Sequence, residues 1–99
     1  MAYRIEYSPP AEDHLRALTA RQRVIVLDTV DEQLPHEPTV ETKHRKPMRP
    51  NPVAPWELRI DNLRVYYDVE EAPEKIVKVR AVGIKTRNRV RIGGEVVDL

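Results

Sequence analysis

The 99-residue chain has no cysteine and no phenylalanine, only three glycines and a single tryptophan. Without cysteine there is no disulfide framework and no thiolate metal site. Without phenylalanine, the core must come mainly from valine, leucine and isoleucine, and at this length it is the modest core of one small domain, residues 1–99. The start Met-Ala-Tyr-Arg-Ile-Glu lacks the long apolar segment of a signal peptide or membrane span, so a cytoplasmic protein with no membrane partner is expected. There is no Gly-rich phosphate loop and no Ser, His, Asp arrangement. No histidine pair has ligand spacing, so neither a metal nor a cofactor is expected.

What is present is charge, and it is unevenly placed. Residues 1–42 carry four arginines and eight acids, net −4, whereas residues 43–99 carry thirteen Lys and Arg against eight acids, net +5. The overall +1 conceals a basic half that should form a patch, the electrostatic footprint of a phosphate-bearing partner.

Along the chain, Tyr3 to Tyr7 alternates as a half-buried strand. Ser8-Pro9 supplies an N-cap and a first-turn proline for a short helix with Ala11, Leu15 and Leu18 on one side. Thr19-Ala20-Arg21-Gln22 is a capping box, opening a second helix to about Leu34 with Val24, Leu27, Val30 and Leu34 as its apolar stripe, widened by Ile25 and Val26. Residues 35–55 contain six prolines and read as one long loop, within which Lys43, His44, Arg45, Lys46 and Arg49 cluster. Lys75 to Val82 reads as a strand with Val77, Val79 and Ala81 inward and Lys78 and Arg80 outward, interrupted by Gly83. Beyond it, Lys85, Arg87, Arg89 and Arg91 alternate so that, if extended, all four cations leave one face. Gly93-Gly94 then turns residues 95–99 back as a terminal hairpin.

The most specific local pattern is Trp56-Glu57-Leu58-Arg59-Ile60-Asp61-Asn62-Leu63-Arg64-Val65-Tyr66-Tyr67. With Asp61-Asn62 as a two-residue turn, Ile60 pairs with Leu63, Arg59 with Arg64, Leu58 with Val65 and Trp56 with Tyr67. One face is then apolar; the other carries Glu57, Arg59, Arg64, Tyr66 and Asp68. Like charges opposite one another destabilise an antiparallel pair. Two readings stay open: the arginines serve an anion, or they form a solvated face paired with Glu57 and Asp68. Trp56 and Tyr67 read as core, His14 and His36 as surface, and Tyr66 as either stacking on a nucleotide or packing on an arginine stem.

Strand, two helices, then consecutive strands predict an α+β domain: a mostly antiparallel twisted sheet with both helices on one face. The opposite face is left free and carries Arg59, Arg64, Tyr66, Lys78 and Arg80, with the loop cations and Lys85 to Arg91 at its rim. Tyr7-Ser8-Pro9, the helix pair, Trp56 to Ile60, Leu63 to Val69 and Val82-Gly83-Ile84-Lys85 together resemble the RelE/ParE superfamily of toxins from bacterial type II toxin-antitoxin modules. The likeness spans nearly the whole chain apart from the loop and the last ten or so residues, and Gly83-x-Lys85 is closer to the RelE branch.

That resemblance implies a metal-free endoribonuclease that cleaves messenger RNA in the ribosomal A site and is neutralised by a cognate antitoxin. The 2′-hydroxyl attacks the neighbouring phosphate and the 5′-oxygen leaves. Arg64 matches the family's strand arginine at the scissile phosphate, and Arg59 and Lys85 match further basic positions. The chain departs from the family in having no Tyr or His after Tyr67, with Arg91 at roughly that place, and in having Glu57 where RelE carries a lysine. Glu57, His44 and Lys46 are therefore candidate bases, with Arg87 or Arg91 stabilising charge. The remaining candidates for RNA binding are Lys43, Arg45, Arg49, Tyr66, Arg80 and Arg89. A second reading is a non-catalytic binding module of the same fold, either a ParE-like gyrase inhibitor or an inactive toxin relic.

Overall fold

One strand, long and valine-rich, organises the others. In a computed structural model describing residues 2–99, the order is β1 (Arg4–Tyr7), α1 (Pro9–Ala17), α2 (Ala20–Gln33), β2 (Arg45–Pro47), β3 (Trp56–Ile60), β4 (Leu63–Glu70), β5 (Ile76–Thr86), β6 (Arg89–Ile92) and β7 (Glu95–Val97). The sheet runs β2-β3-β4-β5-β6-β7, all neighbours antiparallel, and β1 joins it parallel to β5. One edge of β5 is covered by β4 along its length. The other is shared end to end, residues 76–79 pairing with β1 and residues 83–86 with β6.

Both helices begin where their caps dictate. Ser8 Oγ accepts from the Ala11 N–H at 3.2 Å, and the Thr19–Gln22 capping box is closed in both directions. They pack on one face of the sheet through Ala11, Leu15, Val26, Val30 and Leu34, against Leu58, Leu63, Val65, Tyr67, Val77, Val79 and Val82. Of the expected α2 stripe, Val26, Val30 and Leu34 are buried and Ile25 and Leu27 pack against the core, but Val24 is 56% exposed. The cause is Arg23, whose guanidinium donates to the carbonyls of Leu15, Arg16 and Leu18 at the end of α1. With residue 23 held against that helix end, residues 26 and 30 turn to the sheet.

The β3–β4 hairpin has the expected register, Arg59 facing Arg64 and Trp56 facing Tyr67. The Trp56 and Tyr67 rings stack 6.2 Å apart, and the Tyr67 hydroxyl donates to the Pro38 carbonyl at 2.6 Å. Elsewhere the structure corrects the expectations. Residues 35–55 are not all loop: Arg45–Pro47 form an edge strand on β3, where a terminal proline forfeits no ladder bond. Gly83 does not interrupt its strand. A Cβ there would lie 2.6 Å from the Arg91 carbonyl oxygen, so the missing side chain is what lets β6 approach β5. The register slips between Tyr66, opposite Ala81, and Tyr67, opposite Val79, leaving Arg80 as a bulge. Ala81 therefore faces away from the helices, and Val82 takes the inward place. Finally, a turn at Arg87-Asn88 divides the cationic tract between two strands, so its four cations do not share a face.

The face away from the helices is also not left free. Tyr66, Ala81, Ala54 and Val90 are buried there beneath Met48, Val53, Ile92 and Leu99.

His14, expected at the surface, fills a structural gap. On its second edge β5 is paired by β1 only as far as Val79 and by β6 only from Gly83, which leaves the Val82 N–H unpaired. His14 Nδ1 reaches across from α1 and accepts it at 3.2 Å. Desolvation holds the imidazole below its ordinary value, against the opposing pull of the Asp13 charge. A protonated ring has no acceptor at Nδ1, so this bond belongs to neutral His14. The unfolded chain then binds the proton more readily, and stability should fall as the pH drops below the ordinary histidine value. His14→Asn, whose amide oxygen sits near the Nδ1 position, should flatten the melting temperature against pH between about 7 and 5.5. A variant as pH-sensitive as the parent would contradict this.

Candidate nucleic-acid interface

Cross-strand pairing assembles the outer face row by row. Lys46, Glu57, Tyr66 and Ala81 form one row across β2 to β5. Arg59, Arg64, Gly83 and Ile92 form the next across β3 to β6, and Lys85, Val90 and Val97 a third across β5 to β7. Above these rows lies a cleft of about 510 Å³ into which Lys46, Arg49, Arg59 and Lys85 bring positive charge and Glu57 and Asp98 negative charge.

Glu57 is the buried acid of this cleft, its side chain only 9% exposed and its Oε1 2.7 Å from Arg59 Nε. Arg59 is half exposed, so its outer N–H groups remain directed at solvent and at any anion entering. Behind Glu57, on the facing strand, Tyr66 is wholly buried and its hydroxyl lacks a hydrogen-bond partner of good geometry. Burial first, and the Glu57 charge second, push that phenol well above its ordinary value, so it stays protonated. Tyr66 thus forms the floor of the site and presents no ring face for a base to stack on.

The cross-strand arginine pair resolves into two different environments. Arg64 Nη1 donates to the carbonyls of Asp61 and Leu63 at 2.6 and 2.8 Å, bracing the hairpin turn in which Asp61 has a φ of 51°. It is buried, its Nε is unpartnered, and it does not line the cleft. The like-charge penalty is met by Glu57 on one side and backbone carbonyls on the other.

The remaining candidates also separate. Lys46 and Arg49 line the cleft, Lys46 Nζ lying 3.4 Å from Glu41 Oε2. Arg45 faces the helices instead and is buried, donating to the Gln33 carbonyl at 2.8 Å and the Val40 carbonyl at 3.0 Å, where α2 ends. Lys43 and His44 are exposed just ahead of β2 and do not line the cleft. Arg80 pairs with Asp68 at 3.7 Å beside the Lys78–Glu70 ion pair, away from the cleft. Arg91 faces Ile84 and lines a groove with His14, on the helix side of the sheet. Arg89, opposite Thr86, shares that side. Asn88 and Asp98, which line the cleft, were missed by the sequence reading. The readable signal was the two-residue break Arg87-Asn88 between alternating runs. Among the described residues no three His, Asp or Glu side chains converge as a metal site would need.

No family model matches the chain, and no curated protein matches it. Among solved structures, a chain of the toxin-antitoxin complex RelBE2 from Mycobacterium tuberculosis is similar over 86% of this chain and 100% of its own, with a TM-score of 0.72 and 20% identity. The fold is RelE-like. The strand, helix pair and antiparallel sheet expected from the sequence are thus present in this RelE-like arrangement. No helix among the described residues is long and apolar enough to cross a membrane.

The two environments of the loop arginines give a direct test. Arg45→Ala should cost about 2 kcal/mol of unfolding free energy, because it strips buried carbonyls of a charged donor. Arg49→Ala should stay within about 0.5 kcal/mol of the parent in denaturant titration. Equal losses would contradict the placement.

Proposed function

We propose that this protein is a RelE-like toxin, a metal-independent endoribonuclease that cleaves messenger RNA on the ribosome in the cytoplasm and is held inactive by a cognate antitoxin. The observation that carries this reading is the cleft, where four cations surround one buried carboxylate on a RelE-like sheet. A phosphodiester supplies the anion such a cleft fits. Glu57, paired with Arg59, takes the proton of the 2′-hydroxyl as that oxygen attacks phosphorus. Arg59 and Lys85 stabilise the charge that builds on the phosphoryl oxygens. The bond to the 5′-oxygen breaks, leaving a 2′,3′-cyclic phosphate, and Lys46 protonates the departing oxygen. Arg64 contributes by holding the turn that carries Arg59.

A second reading, a non-catalytic module of the same fold acting as a gyrase inhibitor or a toxin relic, draws on two observations. The guanidinium of Arg64 is committed to its own turn, and no Tyr or His follows Tyr67.

Primer extension on a message translated by purified ribosomes separates the two. Codon-positioned cuts are expected with the parent protein, and Lys85→Gln should lower the cutting rate by about a hundredfold at an unchanged melting temperature. Absence of cuts by the folded parent protein would favour the binding module.

A further inference from the structure

The cleft does not use all of the basic residues. Arg87, Arg89 and Arg91 are exposed, and among the described residues none has a carboxylate at ion-pair distance, whereas Arg4, Arg16, Lys46, Arg59, Lys78 and Arg80 all do. Among the described residues, the one hydrogen bond made by the three side chains runs from Arg91 Nη1 to the Gly94 carbonyl at 3.4 Å. Together with Thr86 and Asn88 they line a second open basin of about 510 Å³ at the tip of the β5–β6 hairpin. Asn88 lines both this basin and the cleft, so the two meet at that residue.

Neither the turn nor the strand explains the arginines. Arg87 has a φ of 59°, a left-handed conformation that asparagine or glycine adopts at less cost, by about 1 kcal/mol. Arg89 and Arg91 sit two residues apart on one side of β6, about 6.6 Å along the strand, which approximates the step between successive phosphates of an RNA strand. Three unpaired guanidinium groups so spaced repel one another unless something anionic lies across them.

We infer that the hairpin tip is a second RNA-backbone site continuous with the cleft. An RNA strand whose reacting phosphate lies at Arg59 and Lys85 passes over Asn88 and lays its following phosphates on Arg87, Arg89 and Arg91. This rests on the RNA reading of the cleft and adds to it a length requirement: short RNA fills the cleft alone, and longer RNA gains the tip.

Fluorescence anisotropy with 2′-O-methylated oligoribonucleotides, which cannot be cut, tests it without relying on catalysis. Strands of about 4 and about 12 nucleotides are titrated against the parent, Lys85→Ala and the triple variant Arg87→Ala, Arg89→Ala, Arg91→Ala, each first shown to melt cooperatively. The triple variant should bind the short strand as the parent does and the long strand at least about tenfold more weakly, its salt slope reduced by about 2. Lys85→Ala should weaken both. If the triple variant binds both strands like the parent, or loses both equally, the tip site is overturned while the RNA reading of the cleft stands. If the parent binds neither strand, both fall. Loss in the triple variant of binding to an acidic peptide alone would assign the basin to a protein partner and also overturn the proposal.

Discussion

A single extra residue in β5 decides what the outer face of the sheet presents. From Ile76 to Val79 the strand sends Val77 and Val79 to the helices in strict alternation. Had that alternation continued, Gly83 and Lys85 would also face the helices, and Val82 and Ile84 would face outward. The bulge at Arg80 reverses the parity, so Val82 and Ile84 join the helix-side core and Lys85 turns to the cleft. Ser8 anchors this irregularity: its N–H donates to the Val79 carbonyl at 3.0 Å and its hydroxyl to the Arg80 carbonyl at 3.1 Å. The break between β1 and β6, plugged by His14, lies just beyond.

The outer face then combines burial with unbalanced charge. Tyr66, fully buried, with Ala54, Ala81 and Val90, forms a dry base. Glu57 lies over it, shielded from water, where its attraction to Arg59 is stronger than an exposed pair would manage. Lys46, Arg49 and Lys85 surround that pair with only Asp98 as a further acid in the cleft. Such a site is preorganised for an anion: its cations are already gathered and its acid already held by Arg59. The helix side carries the packing, so its requirements and those of the cleft fall on opposite faces of one sheet.

Much of this was legible. The β3–β4 register followed from two alternating runs meeting at Asp61-Asn62, and both helix starts from their capping residues. Other features depended on tertiary partners. The outward turn of Val24 is set by Arg23 reaching the end of α1, which no period within α2 encodes. Strand β2 is too short and proline-bounded to show a period. Arg45, one of four cations clustered in sequence, differs from its neighbours only because its strand position points at the end of α2. The bulge did leave a trace. In Val77-Lys78-Val79-Arg80-Ala81-Val82-Gly83-Ile84-Lys85 the large apolar residues shift from odd to even positions across Arg80-Ala81, the mark of one inserted residue. Arg87-Asn88 was likewise a turn hidden within a run of cations, and reading through it merged two faces into one.

The central claim is that the Glu57, Arg59 and Lys85 face of the sheet seats the reacting RNA phosphate. Chemical-shift mapping of the ¹⁵N-labelled protein with a non-cleavable RNA strand tests it most directly. The account predicts that resonances of Lys46, Glu57, Arg59 and Lys85 move first and saturate together, while those of α1 and α2 stay in place. Shifts confined to the helices, or none at RNA concentrations that saturate binding, would contradict it.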